Sequence, residues 1–255
     1  MESEANVHTF LDHPGVLAFA HRGDHDSGPE NTLPAFAGAV DQGFKYLETD
    51  THCTRDGVLM AFHDQQLDRV TDQTGKISEL DYEVVRRARV GGSETIPSLE
   101  DLIESFPEAR FNIDLKADTT VIPFINLIRK LKCVDRICVG AFSDQRINAV
   151  REAFPNVCTS LGPINVCRAR LTSYGVPFLK IEGQCAQVPE RWRKVTVIDS
   201  RFIREMKQRG IQTHVWTVND EANMTRLLAL GVEGIMTDRA GLLKKVLKAK
   251  GLWVN

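Results

Sequence analysis

No stretch of this sequence approaches the ~20 consecutive apolar residues that a membrane-spanning helix needs. Neither charge sign dominates: 32 Lys and Arg face 34 Asp and Glu, a formal net charge of −2. That leaves no basic footprint of the kind that binds nucleic acid broadly. The six cysteines, at 53, 133, 138, 158, 167 and 185, include no CxxC pair. Buried, reduced cysteines in a cytoplasmic protein are therefore expected. Met1–Phe10 is polar and acidic, without the basic and then apolar pattern of a signal peptide. Internal repeats beyond the strand-helix unit and low-complexity tracts are also missing.

What is present is a rhythm. Short apolar runs alternate with segments of helical spacing along the 255 residues, a length typical of one (β/α)8 barrel. The strands are expected near 16–20, 46–52, 110–115, 137–141, 157–161, 178–181, 213–217 and 234–236. The helices between them have local stop signals: Gly43, Gly210 and Gly231 suit C-caps, and Ser98 after Pro97 suits an N-cap. Two polar excursions break the rhythm. Residues 64–94 follow strand two and are too long for a simple loop, so they are expected to form a small inserted lobe within a single domain spanning 1–255. The second excursion covers 184–196.

In such a barrel, chemistry sits at the C-terminal ends of the strands. His21 and Arg22 end strand one, Glu48 and Asp50 end strand two, and His63 ends its extension. Asp114 and Lys116 end strand three, Glu182 ends the expected strand six, and Trp216 ends strand seven. Barrel strands are normally apolar, so this many ionisable ends are costly unless they bind something. Glu48 and Asp50, two apart on a strand, share a face, and Asp114 can join them. Two arrangements would relieve the repulsion: ion pairing with Lys116 and Arg22, or a hard divalent cation, Mg2+ or Ca2+, among oxygen ligands. With two histidines nearby, the cation is the favoured reading. His21 and His63 are the candidate acid and base, two imidazoles able to exchange protons near neutral pH. His8, His13 and His25 are read as structural or exposed, and His52 and His214 are left open.

These residues also carry a resemblance. His21-Arg22-Gly23 followed by Pro29-Glu30-Asn31-Thr32 resembles the opening signature of the glycerophosphodiester phosphodiesterase family. Glu48-Thr49-Asp50, His63-Asp64 and Asn112-Ile113-Asp114-Leu115-Lys116 are similar to its middle motifs. Trp216-Thr217-Val218-Asn219 and Gly234-Ile235-Met236-Thr237-Asp238 are similar to its closing ones. The resemblance implies a TIM barrel with an insertion after strand two and one divalent cation on Glu48, Asp50 and Asp114. It implies His21 and His63 as the acid/base pair, Arg22 and Lys116 on the phosphate, Trp216 walling the site and Glu30 bracing it. The family more often has Glu where this chain has Asp114. The implied reaction is attack of the substrate's neighbouring glycerol hydroxyl on phosphorus, then opening of the cyclic phosphate by water. The implied substrate is a small glycerophosphodiester.

Three alternatives are weighed against this. A lysophospholipase D or cyclising enzyme would need an apolar channel, with candidate walls in 64–94 and 184–192. A catalytically silent barrel would be signalled by a lost histidine or carboxylate, and none is lost. A sugar-phosphate barrel enzyme would carry a Gly-rich phosphate grip after strands seven and eight, where Trp216-Thr217-Val218-Asn219 stands instead. The final lysines, Lys244, Lys245, Lys248 and Lys250, are read as the solvent face of the last helix, not as a stable membrane anchor.

Overall fold

The computed structural model describes residues 7–254, so the part of the signal-peptide reading that rests on residues 1–6 lies outside the described residues. Eight parallel strands make the barrel: β1 (Leu17–His21), β2 (Tyr46–Cys53), β3 (Arg110–Leu115), β4 (Ile137–Gly140), β5 (Cys158–Thr159), β6 (Cys185–Pro189), β7 (Gln212–Trp216) and β8 (Gly234–Thr237). Their order around the sheet is β5-β4-β3-β2-β1-β8-β7-β6. The two ends meet through a parallel bridge between Ser160 and Cys185, which closes the ring. Eight helices cover it: α1 (Leu33–Asp41), α2 (Leu99–Ser105), α3 (Val121–Leu131), α4 (Asp144–Ala153), α5 (Pro163–Ser173), α6 (Ser200–Gln208), α7 (Glu221–Leu230) and α8 (Ala240–Ala249). No helix among the described residues is long and apolar enough to cross a membrane.

Local chemistry explains the boundaries. Ser98 accepts from the amide of Asp101 at the start of α2, and Gly231 ends α7 with φ of 97°, a left-handed conformation a side chain would oppose. Asp199 caps α6 through the amides of Arg201 and Phe202, and also takes the guanidinium of Arg170 on α5 at 2.6 and 2.9 Å. The Arg170 guanidinium is the main cause that holds the Asp199 carboxyl down at about 2. A depressed carboxyl pKa contributes stability that is present above the ordinary value of 3.8 and is lost as pH falls toward about 2. Asp199→Ala should therefore cost about 1–2 kcal/mol, a figure reduced for partial solvent screening. Asp199→Asn, which keeps a cap acceptor, should cost less. Melting curves should show the gap between wild type and Asp199→Asn closing through that acid window.

The structure corrects one of the eight expected strands. Phe178–Ile181 is not a strand; the sixth strand is β6, Cys185–Pro189, inside what read as a polar excursion. The remainder of that excursion is a small antiparallel hairpin, Arg191–Trp192 against Val195–Thr196. The physical reason is that β6 carries a polar residue, Gln187, where alternation into a filled barrel puts a side chain at the cavity floor. The Phe178 run that looked apolar is left outside, and Phe178 is fully exposed.

Between β2 and α2 a short strand, Leu59–Ala61, pairs antiparallel with β2. Beyond it the chain forms small turns of helix and the two-stranded pair Arg89–Val90 with Glu94–Thr95. These pack on a core of their own around Met60, Leu67, Ile77, Val85 and Ile96.

The barrel's lower interior is filled by Leu17, Phe19, Tyr46, Met236 and three cysteines, Cys138, Cys158 and Cys185. The expectation of buried cysteines fails at one position: Cys167 is exposed, because it lies on the cavity-facing side of α5. Packing at this level is tight. A Cβ added to Gly234 would stand 2.6 Å from the His214 ring and 3.2 Å from that of Phe19. Gly234→Ala should thus destabilise by about 1–3 kcal/mol through overpacking, read as a lowered urea midpoint at unchanged slope.

Candidate active site

A cavity of about 670 Å3 opens at the C-terminal ends of the strands. Its polar side is built by register. His21 is paired with Glu48, and Asp50 with Asp114, so β1, β2 and β3 present their acidic and imidazole side chains at adjacent levels. His21, Arg22, Glu48, Asp50, His63, Asp114, Lys116 and Trp216 all line this one cavity. Two expected site residues do not. Glu182 precedes β6 at the opposite end of that strand, is half-buried, and pairs with Lys180 at 2.5 Å; its place as a strand end fell with the misplaced sixth strand. Glu30 stands behind the wall, where it binds Arg22 at 3.0 Å and Arg69 at 2.6 Å.

Each histidine is held by a carboxylate. His21 Nδ1 lies 2.6 Å from Asp238 Oδ1, and Asn219 donates to the other Asp238 oxygen at 2.6 Å. His63 Nδ1 lies 2.6 Å from Asp64 Oδ1, and Asp64 is in turn paired with Arg69. A carboxylate on Nδ1 fixes ring orientation and leaves Nε2 of each ring as the proton-exchanging atom. Burial opposes charge on His21, but the Glu48 carboxylate and the Asp238 hydrogen bond outweigh it and raise its pKa above the ordinary 6.5.

Sequence reasoning missed these partners. Asp64 was visible as the neighbour of His63, and Asp238 and Asn219 sat in motifs quoted above without a role. Arg69 carried no signal, since only the fold brings residues 64–94 to Glu30. His25 takes a structural contact, as its reading allows: its Nε2 lies 3.1 Å from the His21 carbonyl oxygen. His52 is bound to the His63 carbonyl, and His214 is fully buried in the barrel. Thr32 holds the N-cap position of α1, and the Asn31 side chain reaches Asp50 and Thr49.

Two cations stand among the carboxylates. Lys116 Nζ lies 2.8 Å from both Asp50 and Asp114, and Arg22 Nε lies 3.0 Å from Asp50. Burial works against the Asp50 charge, yet Lys116 and Arg22 hold its carboxyl below the usual range. Glu48 gets no such help. Burial, and then the Asp50 charge beside it, push it up to about 7. Asp114 Oδ1 is buried with no hydrogen-bond partner. Among the described residues, the group of ligand atoms that lies within 4.8 Å of one another is the sulfur set Cys138, Cys158 and Cys185 below the floor, not the three carboxylates. The donor set still fits a hard cation: all oxygen, with one unpartnered buried atom and one carboxylate that burial strains toward neutrality.

Comparison with known proteins places the chain in a family. The sequence model of the glycerophosphoryl diester phosphodiesterase family matches residues 21–242. The chain belongs to that family. A Mycobacterium tuberculosis protein named "Probable glycerophosphodiester phosphodiesterase 2" is 38% identical over 96% of this chain and 95% of its own. Lysophospholipase D GDPD1 of Rattus norvegicus is 26% identical over 89% of this chain and 85% of its own. The crystal structure of the glycerophosphodiester phosphodiesterase from Agrobacterium tumefaciens superposes with a TM-score of 0.74, at 22% identity, over 89% of this chain and 99% of that one. At that identity the superposition speaks for the barrel alone.

Proposed function

We propose that this chain hydrolyses glycerophosphodiesters to glycerol 3-phosphate and a free alcohol, with His21 and His63 as the acid/base pair. The observation that carries the reading is the pair of imidazoles, each held at Nδ1 by a carboxylate, on one cavity that also holds Arg22 and Lys116. One histidine accepts the proton of the attacking hydroxyl as the bond to phosphorus forms. The other gives a proton to the departing alkoxide, so charge does not build on either oxygen. Opening of the cyclic phosphate by water runs the same transfers in reverse. Lys116 and Arg22 place positive charge where the phosphate must sit, and Trp216 walls the pocket beside it. Glu48, Asp50 and Asp114 would hold one divalent cation, Mg2+ or Ca2+, which supplies further charge stabilisation to the phosphoryl oxygens.

The reading takes the chain as one barrel domain, 1–255, with residues 64–94 as an inserted lobe that contributes Arg69. It takes the setting as cytoplasmic, in keeping with six free cysteines, five of them buried. The expected ligand is a small molecule, without a nucleic-acid partner.

One feature favours a second substrate. The cavity wall opposite the carboxylates is apolar: Phe142, Leu161, Pro163, Val166, Val188 and Trp192. Such a wall suits the acyl chain of a lysophospholipid. Steady-state rates on glycerophosphocholine, glycerophosphoethanolamine and a lysophosphatidylcholine separate the two. The proposal expects the highest kcat/KM on a deacylated diester. A kcat/KM on the lysophospholipid above both others would move the assignment to lysophospholipase D, and turnover of none would end it.

A further inference from the structure

After β6 leaves the cavity, the chain turns outward into the hairpin Arg191–Thr196. Trp192 is opposite Val195 in register, so the two share a face, and both border the cavity while 52% and 57% exposed. Phe142, on the loop after β4, is 58% exposed. Its ring stands 6.1 Å from Trp192 and 6.0 Å from Trp216. An apolar strip therefore runs unbroken from the cavity wall to solvent.

The hairpin's turn is Arg193-Lys194. Two-residue turns favour Asn-Gly, whose backbones accept positive φ. Arg193 takes φ of 54°, a region where a long side chain is uncommon. Two cations thus occupy the outermost point of the hairpin where better turn formers exist. Arg191 adds a third. Among the described residues, none of these three is ion-paired, whereas the adjacent Glu190 is neutralised by Arg226. Three unpaired cations on six residues stand out in a chain of net charge −2.

Unpaired cations around an exposed tryptophan and aliphatic face match the two layers of a lipid interface, anionic headgroups above and acyl chains below. A second copy of the chain would set cation against cation, and an acidic peptide would leave the apolar strip uncovered. We propose that the hairpin Arg191–Thr196, with Phe142, docks the cavity mouth reversibly on an anionic lipid surface. This uses the cavity only as a location and does not depend on which reaction occurs in it.

The test is co-sedimentation with vesicles of phosphatidylcholine alone and of phosphatidylcholine mixed with phosphatidylglycerol. The protein should partition onto the mixed vesicles, weakly or not at all onto the neutral ones, and less as salt rises. Arg193→Asn combined with Lys194→Gly improves the turn while removing both cations. It should lower partitioning by about 30-fold, the loss of two surface charges, with circular dichroism and turnover of dissolved glycerophosphocholine unchanged. Trp192→Ser should weaken partitioning as well. Equal binding to both vesicle types, no binding by folded protein, or unchanged binding in the Asn-Gly variant would overturn the proposal. So would a dimer in lipid-free sedimentation velocity that the same variant dissolves. None of these readouts requires the protein to be a phosphodiesterase, so the two proposals fail separately.

Discussion

His21→Ala and His63→Ala should each lower kcat by on the order of 10²–10⁴, the usual worth of a general acid or base, with little change in melting temperature. Neither ring is part of the packed core; both face the cavity, so truncation leaves no void inside the barrel. The positioning carboxylates should behave differently. Asp238→Asn removes a charge that raises the His21 pKa, but leaves Nε2 in place. It should lower kcat less than His21→Ala and move the His21 limb of the pH–rate profile to lower pH. A merely structural Asp238 would lower stability without moving that limb. The double variant His21→Ala with Asp238→Asn should be no worse than His21→Ala alone, because the aspartate acts through the ring. Additive losses would show that Asp238 has a separate task.

The second large effect concerns the acidic cluster. Exhaustive chelation should remove turnover by roughly two orders of magnitude or more, and either Mg2+ or Ca2+ should restore it. Glu48→Gln and Asp114→Ala should weaken metal binding in calorimetry, while Asp114→Glu, which keeps the charge, should be better tolerated. The metal-free protein offers a readout independent of activity. Glu48 has its carboxyl raised from 4.5 to about 7, so between those values the folded state binds the extra proton and stability falls as pH rises. Glu48→Gln should therefore raise the melting temperature of chelated protein above pH 7, and the gain should fade in acid. A Glu48→Gln variant that melts lower at high pH, yet keeps full metal affinity, would remove Glu48 from the ligand set. The cluster would then be the ion-paired network that Lys116, Arg22, Asp50 and Asp114 already form.

The barrel was legible because its strands are short and apolar and its helices carry stop signals that operate locally, as Gly231 and Ser98 do. The sixth strand was not, and the reason is physical. Gln187 points to a cavity floor and bonds Asn112 at 2.7 Å, so the strand lost the apolar pattern by which strands are read. The error carried to Glu182, whose candidacy rested only on ending that strand. Cavity-lining residues that end strands, His21, Glu48, Asp50 and Asp114, could be read from alternation plus position. Residues that act through another residue could not. Glu30 and Arg69 form a bridge from Arg22 to Asp64 that joins distant loops, and no spacing in the chain encodes it. The same holds for Asp238, which meets His21 across 217 positions.

This cavity is expected to cleave the phosphodiester of a glycerol-linked substrate by histidine proton transfer. Phosphorus NMR of glycerophosphocholine incubated with metal-loaded protein, and with His21→Ala and His63→Ala at equal concentration, tests it most directly. Wild type should convert the diester signal to that of glycerol phosphate, with or without a transient cyclic phosphate, and both variants should leave it essentially unchanged over the same period. A diester signal that persists with wild type, or that either variant consumes at the wild-type rate, would contradict it.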